Sequence, residues 1–293
     1  MKSTIGDWVY TATNYYKRPN RIALTAKQIN MKIEKKRPIS LDEKKCIQLN
    51  MLKEIDAFCR LNNIKYSLAF GTLLGAVRHK GFIPWDDDVD IMMPLPDMLR
   101  FKELFYSDNL KFCDVDTTLH YSYAFSRIAH KGTYNQKGLT YKEYGVCIDT
   151  YPIVSLPSDK KQQEVFFSTS IKIQNKRKRF LKWRNQIIRC LPISSIPGFD
   201  KVQKEYRDHL LKKCQPYGAT NCYYAVAGPL SIRNRTMYDH DIFEQLIDLQ
   251  FEDFRCCCIK DYDYFLRLMY GDYMTPPPES KRHPYHGGKY YWK

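Results

Sequence analysis

Asp88 and Asp90, in the run Asp86-Asp87-Asp88-Val89-Asp90-Ile91, have the type and spacing to do chemistry. An extended segment has a side-chain period of two. Both carboxylates therefore point to one face, while Val89, Ile91 and Met93 point the other way, into a core. Like charges held side by side repel unless a cation lies between them. Carboxylate oxygens suit a hard ion such as Mg²⁺ or Mn²⁺. The pattern predicts a metal platform carried on a rigid strand.

The elements around this pair follow from the neighbouring residues. Ile64, Tyr66, Leu68 and Phe70 alternate with Lys65, Ser67 and Ala69, which is a strand pattern. Gly71 permits a tight exit, and a helix is expected to begin at Thr72 or just after it. Backbone N–H groups at such a start, with the Thr72 hydroxyl beside them, form an anion site. An anion site at Gly71–Thr72 and a metal at Asp88 and Asp90 together point to phosphoryl chemistry. Arg78, His79, Lys80 and Arg127 are candidates for further donor-phosphate contacts. His79 and Lys80 also fit a plainer role, capping the end of the short helix. Asp86 and Asp87 either shape the loop or orient the inner pair, and Trp85 is expected to pack beneath it.

The run FGTLLGAVRHKGFIPWDDDVDI closely resembles the signature of the LicD family, which includes the fukutin-type proteins. The resemblance implies the nucleotidyltransferase superfamily pattern: Gly-Ser/Thr, a helix, then Asp-x-Asp on a strand. It implies transfer of a phospho-alcohol, typically phosphocholine from CDP-choline, to a hydroxyl of a cell-surface glycan or its lipid-linked precursor. Lipopolysaccharide and teichoic acid are the glycans such a reaction would serve. The segment around Cys147–Pro152 resembles the family's Ile-Asp-x-x-Pro strand. By that resemblance Asp149 is the third metal ligand and a candidate acceptor of the hydroxyl proton. Read from the residues alone, Asp149 stays open between that role and capping a turn before Pro152. Tyr270-Gly271-Asp272-Tyr273, Pro276-Pro277 and His286 resemble the family's C-terminal tail. The resemblance is dense over residues 40–94 and patchy beyond.

Two other function classes share these features. A nucleotidyltransferase acting on a small molecule or polynucleotide would use the same Asp pair, but would release pyrophosphate where phospho-alcohol transfer releases CMP. A non-catalytic nucleic-acid binder is permitted by the net charge of +15. Nothing in the chain resembles a helix-turn-helix, RNP or finger motif, so no nucleic-acid partner is expected.

The 293 residues, 44% hydrophobic, are enough for one large domain with a real core. The fold class expected is α+β: a nucleotidyltransferase-like mixed sheet flanked by helices, with a mostly helical C-terminal part. The layout expected is a basic arm over 1–39, a catalytic core over 40–157, and residues 158–293 completing the same domain. Ser40-Leu41-Asp42-Glu43 is a capping box that starts a helix through Leu52, Ile55 and Cys59. The ten cysteines form no C-x-x-C pair, which argues against structural zinc or a disulfide framework and for a reducing compartment. The N-terminus lacks the apolar core of a signal peptide, and no run is apolar enough to span a bilayer. A cytoplasmic protein is expected. The basic segment 172–189 reads as an amphipathic helix, either resting on the inner face of an anionic membrane or packed by its apolar stripe.

Overall fold

The computed structural model describes residues 37–118, 121, 123–136, 144–187, 198–226, 230–283 and 288–293. Most of the expected basic arm, Arg189 and His286 therefore lie outside the described residues. Ser40 opens α1 (Leu41–Leu61), its hydroxyl accepting from the Glu43 N–H at 3.1 Å. The helix buries Met51, Leu52, Ile55 and Cys59. It stops at Asn62-Asn63, where Asn63 takes a φ of 52° that this side chain tolerates.

Strand β1 (Ser67–Leu68) is shorter than its alternation suggests, because the chain turns at once into α2 (Phe70–His79). The helix begins two residues before Thr72, and Phe70 enters it at a φ of 44°, a rare conformation for an aromatic residue. β2 (Asp90–Pro94) is buried throughout and runs into α3 (Leu95–Leu104), with Pro94 and Pro96 at the helix start where a missing N–H costs nothing. β3 (Leu110–Cys113), β4 (Ser126–His130), β5 (Thr133–Gln136) and β6 (Cys147–Ser155) follow.

The main sheet has seven strands in the order β1-β2-β6-β4-β3, with β7 (Tyr223–Ala225) also on β6 and β8 (Met237–Tyr238) on β7. β2 and β6 run parallel; the other pairings are antiparallel. β6 pairs with β4 as far as Thr150 and with β7 from Ile153. Pro152, which has no N–H to donate, falls where the partner changes.

Helices α4 (Lys160–Ile187) and α5 (Phe199–Lys213) share a second apolar cluster of Phe166, Phe167, Ile173, Tyr206 and Leu210. The C-terminal part also holds a hairpin of β9 (Leu246–Phe251) and β10 (Phe254–Ile259), then α6 (Tyr262–Tyr270), which ends at Gly271 with φ 71°. β11 (Lys289–Trp292) pairs with β5 and meets residue 38 in a bridge. β7 and β8 are three and two residues long, too short for periodicity to reveal. The architecture is α+β, a mixed sheet flanked by helices, and Pro38–Lys293 form one compact unit.

The basic face of α4 divides. Lys172, Lys178, Arg179 and Lys182 are exposed, Lys176 pairs with Glu205 at 2.9 Å, and Arg177 is half-buried near Tyr206. Among the described residues no helix is long and apolar enough to cross a membrane, and all nine described cysteines are free.

Candidate active site

The register of the two parallel strands builds the site. The Cα of Asp90 on β2 lies directly opposite that of Asp149 on β6, so the two side chains share a face with Met92 and Tyr151. Asp88 lies in the extended lead-in to β2. Pairing has already begun there, since the Val89 carbonyl accepts from the Asp149 N–H at 2.9 Å. Thr72 pins the next residue: its hydroxyl accepts from the Asp90 N–H at 2.8 Å. The Tyr151 hydroxyl donates to Asp90 Oδ1 at 3.3 Å.

Charge is concentrated here against its preference. Burial, then the charge and hydrogen bond of Asp86, then Asp149 and Asp87, push the Asp88 carboxyl up to about 8. Burial and the charges of Asp88, Asp149 and Asp86 push Asp90 well above the usual carboxylate range, with the Tyr151 hydrogen bond opposing. Carboxylates crowded in this way take up either protons or a cation. An all-oxygen donor set of this kind fits a hard divalent ion.

Asp149, the expected third ligand, is already engaged. Its strand is adjacent to β2 and its charge acts on both Asp88 and Asp90, but its carboxylate is held from the far side. Arg127, opposite it on β4, clasps both oxygens: Nε lies 2.7 Å from Oδ1 and Nη2 donates to Oδ2 at 3.0 Å. The guanidinium also stacks 3.5 Å over the Tyr123 ring. Among the described residues no three His, Cys, Asp or Glu side chains are gathered to hold a metal ion. Arg127 is thus a partner of Asp149, held inside the sheet.

The loop before β2 is fixed from below by a residue the sequence reading missed. Lys44 Nζ donates to the Asp87 carbonyl and to its Oδ2 at 3.1 Å, with both side chains about 6% exposed. Lys44 sits on the buried stripe of α1 with Gln48, Met51 and Ile55, and a lysine in such a stripe is the signal that could have found it. Asp87 is therefore an anchor. Asp86 points the other way, toward the N-terminus of α2. A Cβ at Gly71 would stand 2.7 Å from Asp86 Oδ2, so the glycine is what admits that carboxylate.

A cleft of about 710 Å³ opens beside Gly71 and Asp86, bounded by Arg78, Trp85, Tyr270 and Lys281 among others. Burial raises the Tyr270 phenol, and the charges of Asp90, Asp86 and Asp88 raise it further. Of the six expected phosphate contacts, Gly71 and Arg78 line this cleft. Thr72 is buried against β2. Lys80 turns back to the Val77 carbonyl at 3.2 Å from a left-handed cap position, the plainer of its two readings. His79 accepts from Arg78 Nε at 3.4 Å and meets the edge of Trp85. Trp85 is half-buried and lines the cleft, where it was expected only beneath the loop.

A short helix with Gly71 and Thr72 in its first turn, followed by an acid-bearing strand in a mixed sheet, is the order of elements that the resemblance to the LicD family implies. Residues 63–196 match the family described as "LicD/FKTN/FKRP, nucleotidyltransferase domain". Over 265 residues it is 26% identical to the lipopolysaccharide cholinephosphotransferase LicD of Haemophilus influenzae, covering 85% of this chain and 96% of that one. An uncharacterized protein of Rickettsia prowazekii is 27% identical over 211 residues, 65% of this chain and 77% of its own. Another, from Rickettsia typhi, is 45% identical over 65 residues, 22% of this chain and 21% of its own.

Proposed function

We propose that this chain transfers phosphocholine from CDP-choline to a hydroxyl of a cell-surface glycan or its lipid-linked precursor, in a reaction that depends on a divalent metal. The observation that carries the reading is the crowded pair Asp88 and Asp90 next to Asp86, which lines a cleft that also presents Arg78 and Lys281. The likeness to a lipopolysaccharide cholinephosphotransferase along nearly its whole length supplies the substrate class.

Asp88 and Asp90 would hold Mg²⁺ or Mn²⁺, with Asp86 adjacent. When bound there, such an ion would supply positive charge against the donor phosphates as the P–O bond breaks. Thr72 and Tyr151 fix Asp90 through its backbone and side chain, and Lys44 fixes the loop through Asp87. Arg127 orients Asp149, whose carboxylate is the group we assign to accept the proton of the attacking hydroxyl. Gly71 lets Asp86 approach the helix start, and Arg78, which lines the same cleft, is assigned to meet donor phosphate. The exposed cations of α4, Lys172, Lys178, Arg179 and Lys182, are the surface we assign to an anionic membrane carrying the acceptor.

Incubation of the protein with CDP-choline, a glycan acceptor and either Mg²⁺ or Mn²⁺ tests this reading. CMP release that requires the metal and the acceptor is the expected result. Pyrophosphate release from a nucleoside triphosphate, with no CMP from CDP-choline, would replace it with nucleotidyl transfer.

A further inference from the structure

The C-terminal tail supplies cations to the cleft that neither the sequence motif nor the strand register called for. Lys281, at the end of a short 3-10 turn, Glu279–Lys281, lines the cleft with Arg78 of α2. Among the described residues its ammonium makes no ion pair. Arg282 follows it. Its Nε donates to the Pro277 carbonyl at 2.8 Å, and its guanidinium lies 5.3 Å over the ring of Trp85, which lines the same cleft. The nearest acid, Glu279, is exposed and 4.0 Å away. Arg78 is anchored in its turn, Nη1 donating to the Tyr273 carbonyl at 2.5 Å.

Arg78 and Lys281 thus line the cleft together with Asp86, and Arg282 lies over its Trp85. Burial, and then the Arg282 charge, hold the Arg78 guanidinium below its ordinary value. Like charges brought together without a buried acid between them are relieved by an anion. Guanidinium groups recognise phosphate by paired donors, and an ammonium adds a point charge. The acceptor hydroxyl is neutral and gives these cations nothing to bind. A nucleoside diphosphate ester carries two phosphates and so brings the anionic group that such a cluster takes.

We propose that Lys281 and Arg282 join Arg78 as the seat of a donor phosphate, so that the tail completes the nucleotide site. This rests on the phosphotransfer reading above. The shared chemistry is a phosphate monoanion or dianion, and it has two possible sources: the nucleotide donor, to which the proposal commits, or a phosphate borne by the acceptor.

The experiment uses the full chain with Lys281→Ala, Arg282→Ala and Arg282→Lys. Both residues are exposed, so the variants are expected to melt as the wild type does. Calorimetric titrations with CMP and with CDP-choline, with and without Mg²⁺, are run beside steady-state kinetics. Loss of one charged contact weakens binding by about tenfold or more. The expected result is that loss in CMP affinity and in the KM for CDP-choline for each alanine variant, partial recovery in Arg282→Lys, and an unchanged acceptor KM. Unchanged nucleotide binding in both alanine variants overturns the proposal, as does a rise confined to the acceptor KM. The two readings fail separately. If the wild type releases no CMP from CDP-choline yet binds CMP through Lys281 and Arg282, the seat stands and the transfer reaction falls. If CMP release is normal and the variants bind as the wild type, the seat falls alone.

Discussion

Lys44→Met tests whether the acidic loop is held from below. The ammonium and the Asp87 carboxylate are each about 6% exposed, and Tyr290 closes the pair from one side with its ring 4.6 Å from Nζ. Methionine keeps most of the volume and removes the charge, leaving a carboxylate buried without a partner. Breaking such a pair costs about 3–5 kcal/mol. A second bound comes from proton uptake. A stranded carboxylate escapes by binding a proton, at about 1.4 kcal/mol for each pH unit above the ordinary aspartate value near 3.9. The loss should therefore be about 4 kcal/mol at pH 7 and about 1.5 kcal/mol at pH 5. The sign follows from linkage: the folded variant binds a proton that its unfolded chain does not, so it gains relative stability as pH falls. Urea unfolding of the wild type, Lys44→Met, Asp87→Asn and the double variant at both pH values measures this. The double variant should recover much of the loss, because neither charge remains. A single variant within about 1 kcal/mol of the wild type at pH 7, the worth of an exposed pair, would show that the contact does not anchor the loop. So would a deficit that fails to shrink at pH 5.

Asp88→Asn or Asp90→Asn should abolish transfer while holding or raising the melting temperature, because each removes a charge its neighbours disfavour; near-normal turnover at saturating metal would move the site elsewhere. Gly71→Ala should raise the metal concentration for half-maximal activity, since the new methyl meets Asp86 Oδ2 at 2.7 Å, and an unshifted metal dependence would deny Asp86 a role. His209, buried with Nε2 2.9 Å from Ser170 Oγ and 3.1 Å from the Phe166 carbonyl, has its pKa lowered chiefly by burial. Its contribution is present above the unfolded value near 6.5 and lost as pH falls below it, so His209→Gln should flatten the decline of the urea midpoint between pH 7 and 5. An unchanged slope would count against that assignment.

The parts of the fold that were legible in the sequence are those set by local rules. The capping box at Ser40, the Asn exit at Asn63, the prolines opening α3 and the Gly271 stop each lie where their backbone chemistry requires. The strands carrying Asp90 and Asp149 lie side by side in the register, which no local rule dictates. What local rules could not supply is which way a charged side chain turns once strands are paired. Arg127 and Lys80 look alike as exposed cations near a motif. One is stacked on Tyr123 and clasped to Asp149, and the other caps its own helix. Lys44 and Lys281 reach the site from opposite ends of the chain, and no spacing in the sequence connects them to it.

The strand register also explains why the charge imbalance sits where it does. Arg127, Asp149 and Asp90 form one row across β4, β6 and β2, each Cα opposite the next. The single cation stands at the β4 end and is consumed by Asp149, both of whose oxygens it holds. The uncompensated charge is displaced to the β2 end, where Asp90 meets Asp88 and the Asp86 side chain arrives from the loop. Lys44 does not relieve it, because that ammonium is occupied with Asp87 on the buried side. Taken together, Asp86, Asp88, Asp90 and Asp149 against Arg127 leave an excess of negative charge, which a divalent ion would reduce. On the proposed reading, Arg127 therefore does more than orient a base: by neutralising Asp149 within the sheet, it leaves the demand for a cation at Asp88 and Asp90, beside the cleft that would admit the donor.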